Sequence, residues 1–213
     1  MPRMKAKAYK EQAFDVRGLH GISDAQVAEH LKLYAGYVKQ VNVLNEQLAE
    51  RLSAGKASGK DPEFAELTRR LGFEYNGMIL HEYYFSNLRR AADPRPPQHG
   101  AVAQALSAAF GSVDQWQADF QAMGDMRGIG WVILFQDPAT DRMTNHWVTL
   151  HQDGVPAGFK PLLVMDVWEH AFMRDYQATE KSKYVEAFFR NIDWAVVERR
   201  IQDEAAIRPA AAA

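Results

Sequence analysis

The sequence predicts an α+β protein: an N-terminal antiparallel helical hairpin, then a C-terminal α/β domain with a small three-stranded antiparallel sheet. Three observations predict it. Apolar residues recur at helical spacing through two long stretches joined by a short polar turn. A proline-rich segment follows, spanning 92–100. Beyond it the pattern switches to short apolar runs around a turn signal and then returns to helix.

Ser23, followed three residues later by Gln26, reads as a capping box that opens the first helix. Val27, Leu31, Tyr34, Val38, Val41, Leu44 and Leu48 keep helical spacing to about residue 52. Residues 53–60 are a polar turn. Asp61-Pro62 supplies an N-cap and a first-turn proline for a second helix, expected to run to about Arg90, with Gly72 and Gly77 as the places where it could bend. Two shorter helices are expected near 101–110 and 113–123, with Ser112 and Gln115 as a second capping box. Residues 131–135 and 147–150 flank the turn signal at 137–141 and read as a β-hairpin, and 162–165 is a third short strand. Helix is expected from about 167 onward, with the alanines after Arg208 as a frayed tail. The division is an N-terminal extension at 1–22, an α-hairpin domain at 23–91 and an α/β domain at 100–205.

Composition narrows the chemistry. The 213 residues carry 25 basic and 27 acidic side chains, a net charge of −2, and no local run of Lys or Arg; no nucleic-acid partner is expected. There are no cysteines, which rules out disulfides, thiolate nucleophiles, iron–sulfur clusters and sulfur-based zinc sites. The first eighteen residues hold no apolar run of signal-peptide or membrane-helix length, so a cytoplasmic protein with no membrane partner is expected. Any metal site must therefore draw on the seven histidines and the carboxylates. Phosphate loops, HExxH and GxSxG motifs are missing from the sequence.

Asp166 and His170 stand four residues apart where the third strand gives way to the next element, a placement that lets both converge on one ion. The same pair is also what an ordinary helix start with an Asp cap looks like. His30 shares a face of the first helix with Tyr34 and Tyr37; His81 lies on the second helix with Tyr84 and Phe85 just beyond it. One histidine in an aromatic setting on each arm of a hairpin can face its counterpart. His20, His99 and His146 fall near turns or in the linker and read as surface residues.

DVWEHAF at 166–172 closely resembles the signature of the iron/manganese superoxide dismutase family. Three further segments stand in family order: the helix from His30 through Tyr37-Val38, the His81-Glu-Tyr-Tyr-Phe helix, and GIGW at 128–131. The resemblance covers roughly residues 20 to 203. It implies superoxide disproportionation to hydrogen peroxide and dioxygen at one Fe or Mn ion per subunit. His30, His81, Asp166 and His170 become the metal ligands, with a solvent molecule as a fifth. Tyr37 matches the gateway tyrosine, and Trp131 and Trp168 match aromatics that wall the pocket. Glu169 matches a glutamate that reaches across a dimer interface to the partner's ligand histidine, so a homo-oligomer, dimer or tetramer, is implied. His151 or its neighbour Gln152 is expected to contact the bound solvent.

The chain departs from the family pattern in several places. Seven residues, not eight, separate His30 from Tyr37; the residue eight before Tyr37 is Glu29, and loss of a one-residue helix bulge would account for the gap. The family's second-shell histidine is replaced by Tyr34 or Leu33, and its tyrosine partner falls at Met173. An arginine often found beyond the last ligand falls at Thr179. The competing expectation is a metal-free structural homologue in a larger assembly. Retention of all four ligands argues against it.

Overall fold

The computed structural model describes residues 8–90 and 95–202. Helix α1 (Asp24–Ser53) runs unbroken for 30 residues, so the missing residue between His30 and Tyr37 is absorbed without a bulge. Its buried stripe, Val27, His30, Tyr34, Val38, Val41 and Leu44, follows the three-and-four spacing of a single helical face. The Ser23 hydroxyl accepts from the Gln26 N–H at 3.0 Å, as a cap should. The other half of the expected capping box does not form, because the Gln26 side chain is engaged elsewhere, with His170 and Arg174.

Helix α2 (Pro62–Ser86) starts as expected, with Asp61 accepting from the Glu63 N–H at 3.0 Å and proline in the first turn. It stays unbroken through Gly72 and Gly77 but stops four residues short of Arg90. The cause is tertiary. Asn87 Nδ2 donates to the Val164 carbonyl at 2.6 Å, Leu88 bridges Ile192, and the Arg89 N–H donates to the Asn191 carbonyl at 2.8 Å. Buried Arg200 closes the end, its guanidinium reaching the Tyr83 carbonyl, the Ser86 hydroxyl and Asn87 Oδ1. These contacts turn the chain away from the helix axis and toward β3 and residues 191–192.

Helices α3 (Gly100–Phe110) and α4 (Val113–Gly124) lead into the sheet. Strands β1 (Gly130–Gln136), β2 (Met143–Thr149) and β3 (Lys160–Asp166) are antiparallel in the order β2-β1-β3. Central β1 is buried along its whole length, which explains its continuous apolar run. Strand β2 begins four residues before the expected 147, because residues 143–146 pair with 133–136. The polar, partly exposed side chains of Thr144, Asn145 and His146 hid that pairing. Leu150 lies outside β2, at a φ of 55°.

The expected helix from 167 is replaced at first by turns: two 3-10 turns, Glu169–Ala171 and Ala178–Glu180, precede α5 (Lys181–Phe189) and α6 (Trp194–Gln202). Asp166 Oδ1 accepts from the Trp168 N–H at 2.8 Å, and bonds from α1 hold the segment that follows. The expected tail lies outside the described residues, as does part of the proline-rich linker. Residues 8–22 form no regular element, yet Val16, Leu19 and Ile22 are buried and Phe14 packs on Tyr34 and Phe85. Apolar side chains from α1, α2, the sheet and α5 join in one continuous core. Among the described residues no helix is long and apolar enough to cross a membrane.

Candidate metal centre

His30 comes from the buried face of α1, His81 from α2, Asp166 from the last position of β3 and His170 from the 3-10 turn after it. Each offers one ligand atom, and the four atoms lie within 4.8 Å of one another. Asp166 Oδ2 is the hub: His30 Nε2 and His170 Nε2 are each 3.1 Å from it and His81 Nε2 is 3.7 Å away. Ligand atoms sharing a first-row ion at about 2.1 Å are at most ~4.2 Å apart. The cluster is already close to that limit.

The orientation of His81 is the most telling feature. Its Nδ1 lies 2.6 Å from the Gly77 carbonyl, and a carbonyl can only accept, so Nδ1 carries the proton. Nε2 is thereby left with its lone pair directed into the cluster, fully buried and without a hydrogen-bond partner. A buried polar atom of this kind needs a reason; a bound cation supplies one. Burial holds His81 well below the ordinary histidine pKa, with His30 adding to the effect, and lowers His30 as well. For Asp166, burial alone would raise the pKa, but the imidazoles gathered on Oδ2 outweigh it and keep the carboxyl well below the usual range. Two neutral imidazoles beside an ionised carboxylate are what a divalent or trivalent cation selects. The residues present fit an Fe or Mn ion.

The surroundings hold these side chains in place. Tyr184 donates to the Asp166 carbonyl at 2.7 Å, and its hydroxyl lies 3.1 Å from that of Tyr84. Trp131 meets His81 edge-on at 5.0 Å between centroids, and Trp168 stacks on His170 at 5.7 Å and on His151 at 4.9 Å. Beside the cluster, Tyr37 Oη lies 2.7 Å from His151 Nε2, and Trp131 Nε1 donates to His151 Nδ1 at 3.1 Å. Nδ1 is therefore the acceptor, and the ring proton sits on Nε2, facing Tyr37. Burial drives His151 down to about 4 and pushes the Tyr37 hydroxyl up, so one stays neutral and the other protonated at neutral pH.

Of the two alternatives at 151–152, it is the His151 ring that stands in the pocket, while Gln152 Oε1 faces the backbone N–H of His151. Glu29 is exposed and bonded to Lys32, away from the cluster. Tyr34 also turns away: its hydroxyl donates to Glu82 at 3.1 Å and accepts from the Gln12 N–H at 2.9 Å. Glu169 is exposed. Sequence reasoning missed Phe73, whose ring packs 4.4 Å from that of His151. Its spacing, one turn before Gly77 and two before His81, was the available signal.

A helical hairpin and an α/β domain that each contribute two side chains to one cysteine-free cluster have the make-up of a protein able to hold a single metal ion. The sequence profile of the iron/manganese superoxide dismutase C-terminal domain matches residues 98–200. The chain is 38% identical over 181 residues to an Fe superoxide dismutase of Cupriavidus metallidurans, covering 83% of this chain and 86% of that one. It is 33% identical to an Fe enzyme of Aquifex pyrophilus, with 87% of each covered, and 33% identical to a Mn enzyme of Mycolicibacterium fortuitum, with 88% of each covered. The chain belongs to the iron/manganese superoxide dismutase family.

Proposed function

We propose that this chain converts two superoxide ions and two protons into hydrogen peroxide and dioxygen, at one Fe or Mn ion held by His30, His81, Asp166 and His170. The observation that carries the reading is the lone pair of His81 Nε2, buried, unpartnered and aimed at the Asp166 carboxylate. The ion, when bound, supplies the one-electron redox change that neither zinc nor any side chain here can.

The chain's own residues orient and protonate. Asp166 and the neutral imidazoles fix the charge of the cluster. Trp131 holds His151 in the tautomer that donates from Nε2 to the Tyr37 oxygen. That leaves the Tyr37 O–H free to point toward an incoming anion and to deliver a proton as peroxide forms. Trp131, Trp168 and Phe73 exclude bulk water from this chain of bonds.

The chain works as a homo-oligomer in the cytoplasm, with Glu169 at the interface. What supports the interface is its setting: Glu169 lines two adjoining clefts that also display exposed Leu33, Met126 and Met173. The defining experiment measures metal content and superoxide removal on protein purified without added metal. About one Fe or Mn per chain, with activity lost in His170→Ala, is the expected result. Folded protein lacking both, even after reconstitution, would transfer the reading to a structural homologue in a larger assembly.

A further inference from the structure

The cluster is assembled from two parts of the chain, and something must fix the distance between them. Among the described contacts, four hydrogen bonds fasten the first turn of α1 to residues 170–175. Ser23 donates twice to Asp175, from its N–H to Oδ2 at 2.7 Å and from its hydroxyl to Oδ1 at 2.6 Å. Gln26 uses both ends of its carboxamide: Nε2 donates to the His170 carbonyl at 2.6 Å, and Oε1 accepts from the Arg174 N–H at 3.0 Å.

Gln26 is 2% exposed and sits one helical turn before His30 on the same buried face. A buried glutamine calls for an explanation, because its carboxamide must be fully bonded to avoid a desolvation penalty. Here both ends are bonded to backbone, one to the carbonyl of the last ligand, His170, and the other to the N–H four residues beyond it. His30 and His170 in turn approach the same Asp166 oxygen, each at 3.1 Å, with ring centroids 4.9 Å apart. The backbone of His170 itself is thus tied to the helix that carries His30 through the Gln26 side chain.

We propose that Gln26 is a positioning residue for the metal centre: it sets His170 against His30, and so sets the affinity of the cluster for its ion. The inference rests on the metal-centre reading above. Outer-shell groups of this kind change metal affinity by about 10- to 100-fold when removed. Ser23 serves as an internal control, since it fastens the same segment but bonds no ligand residue.

The test compares Gln26→Met, close in size but unable to make either bond, with Ser23→Ala. Each is loaded with Mn or Fe, and the ion is withdrawn by a competing chelator; the paramagnetic resonance spectrum of the loaded protein and the melting temperature of the metal-free protein are recorded alongside. Gln26→Met should lose affinity by about tenfold or more, with an altered spectrum. Ser23→Ala should keep the wild-type spectrum and an affinity within about twofold, whatever its melting temperature. Equal losses in both variants would make the effect one of general stability and overturn the proposal. An unchanged affinity and spectrum in Gln26→Met would overturn it too, while the metal-centre reading stood. Failure of the wild-type protein to bind either ion would instead bring down that reading, and the proposal with it.

Discussion

Adding one methyl group at Gly77 tests the packing that aligns the site. An ideal Cβ there would lie 2.6 and 2.7 Å from Cδ1 and Cε1 of Tyr37. Comfortable carbon–carbon contact begins at about 3.5 Å, so the ring must give way by ~0.9 Å. It has little room, being flanked by Phe73, His81 and His151. A shift of that size along the Tyr37–His151 axis would stretch their 2.7 Å hydrogen bond to ~3.6 Å, beyond useful length. Overpacking of this kind costs about 1–3 kcal/mol. Replacing a helical glycine by alanine returns about 1 kcal/mol. Gly77→Ala should therefore destabilise the protein by about 0–2 kcal/mol in urea titration. In a Tyr37→Ala background, where those ring contacts are gone, the same change should stabilise by about 1 kcal/mol. The activity of the single variant should fall toward that of Tyr37→Phe. Equal effects of Gly77→Ala in both backgrounds would refute the packing argument, because the coupling of about 1–3 kcal/mol would be missing.

Three further outcomes follow from the same geometry. His151 stays neutral to about pH 4 in the folded protein, whereas an unfolded histidine protonates near 6.5. Between those values the unfolded chain binds more protons, so stability falls as pH drops from 6.5 to 4, by up to about 3 kcal/mol. Urea titrations of metal-free wild type and His151→Gln across that window should differ in slope by this contribution, and parallel profiles would contradict it. Arg200→Met should cost about 3 kcal/mol by the same method, because Asn87 Oδ1 and the Leu162 carbonyl lose a buried donor; a loss below about 0.5 kcal/mol would mean that water or a neighbour replaces it. Stripping the ion from protein kept with free ion at about a thousand times the dissociation constant should remove about 4 kcal/mol, lowering the calorimetric melting temperature by roughly 8–16 °C.

Much of the architecture was readable because single residues announce it. Asp61-Pro62 opens α2 where an N-cap and first-turn proline require, and the turn signal at 137–141 joins β1 to β2. The elements that misled are those whose limits are set by distant partners. Asn87 ends α2 by bonding β3, and Ser23 and Gln26 hold residues 170–175 in turns where local pattern favoured helix. The Ser23–Gln26 pair is instructive: local spacing fits a capping box, but the glutamine side chain serves a segment 144 residues away. At the site, residue types and spacing brought His30, His81, Asp166 and His170 into consideration. Only three-dimensional placement could choose between His151 and Gln152 as the side chain beside Tyr37, since adjacent residues on an irregular turn carry no periodic signal. The tautomers of His81 and His151, on which the chemistry depends, were out of reach of sequence because Gly77 and Trp131 dictate them through contacts in space.

The most direct measurement is X-ray absorption at the Fe or Mn edge of the loaded protein, with His170→Ala beside it. Scattering from about three imidazole rings and a carboxylate oxygen in the wild type, and one ring fewer or no bound metal in the variant, is the expected result. Fewer than three imidazoles in the wild type, or an identical spectrum in the variant, would contradict the assignment of His30, His81, Asp166 and His170 as the centre.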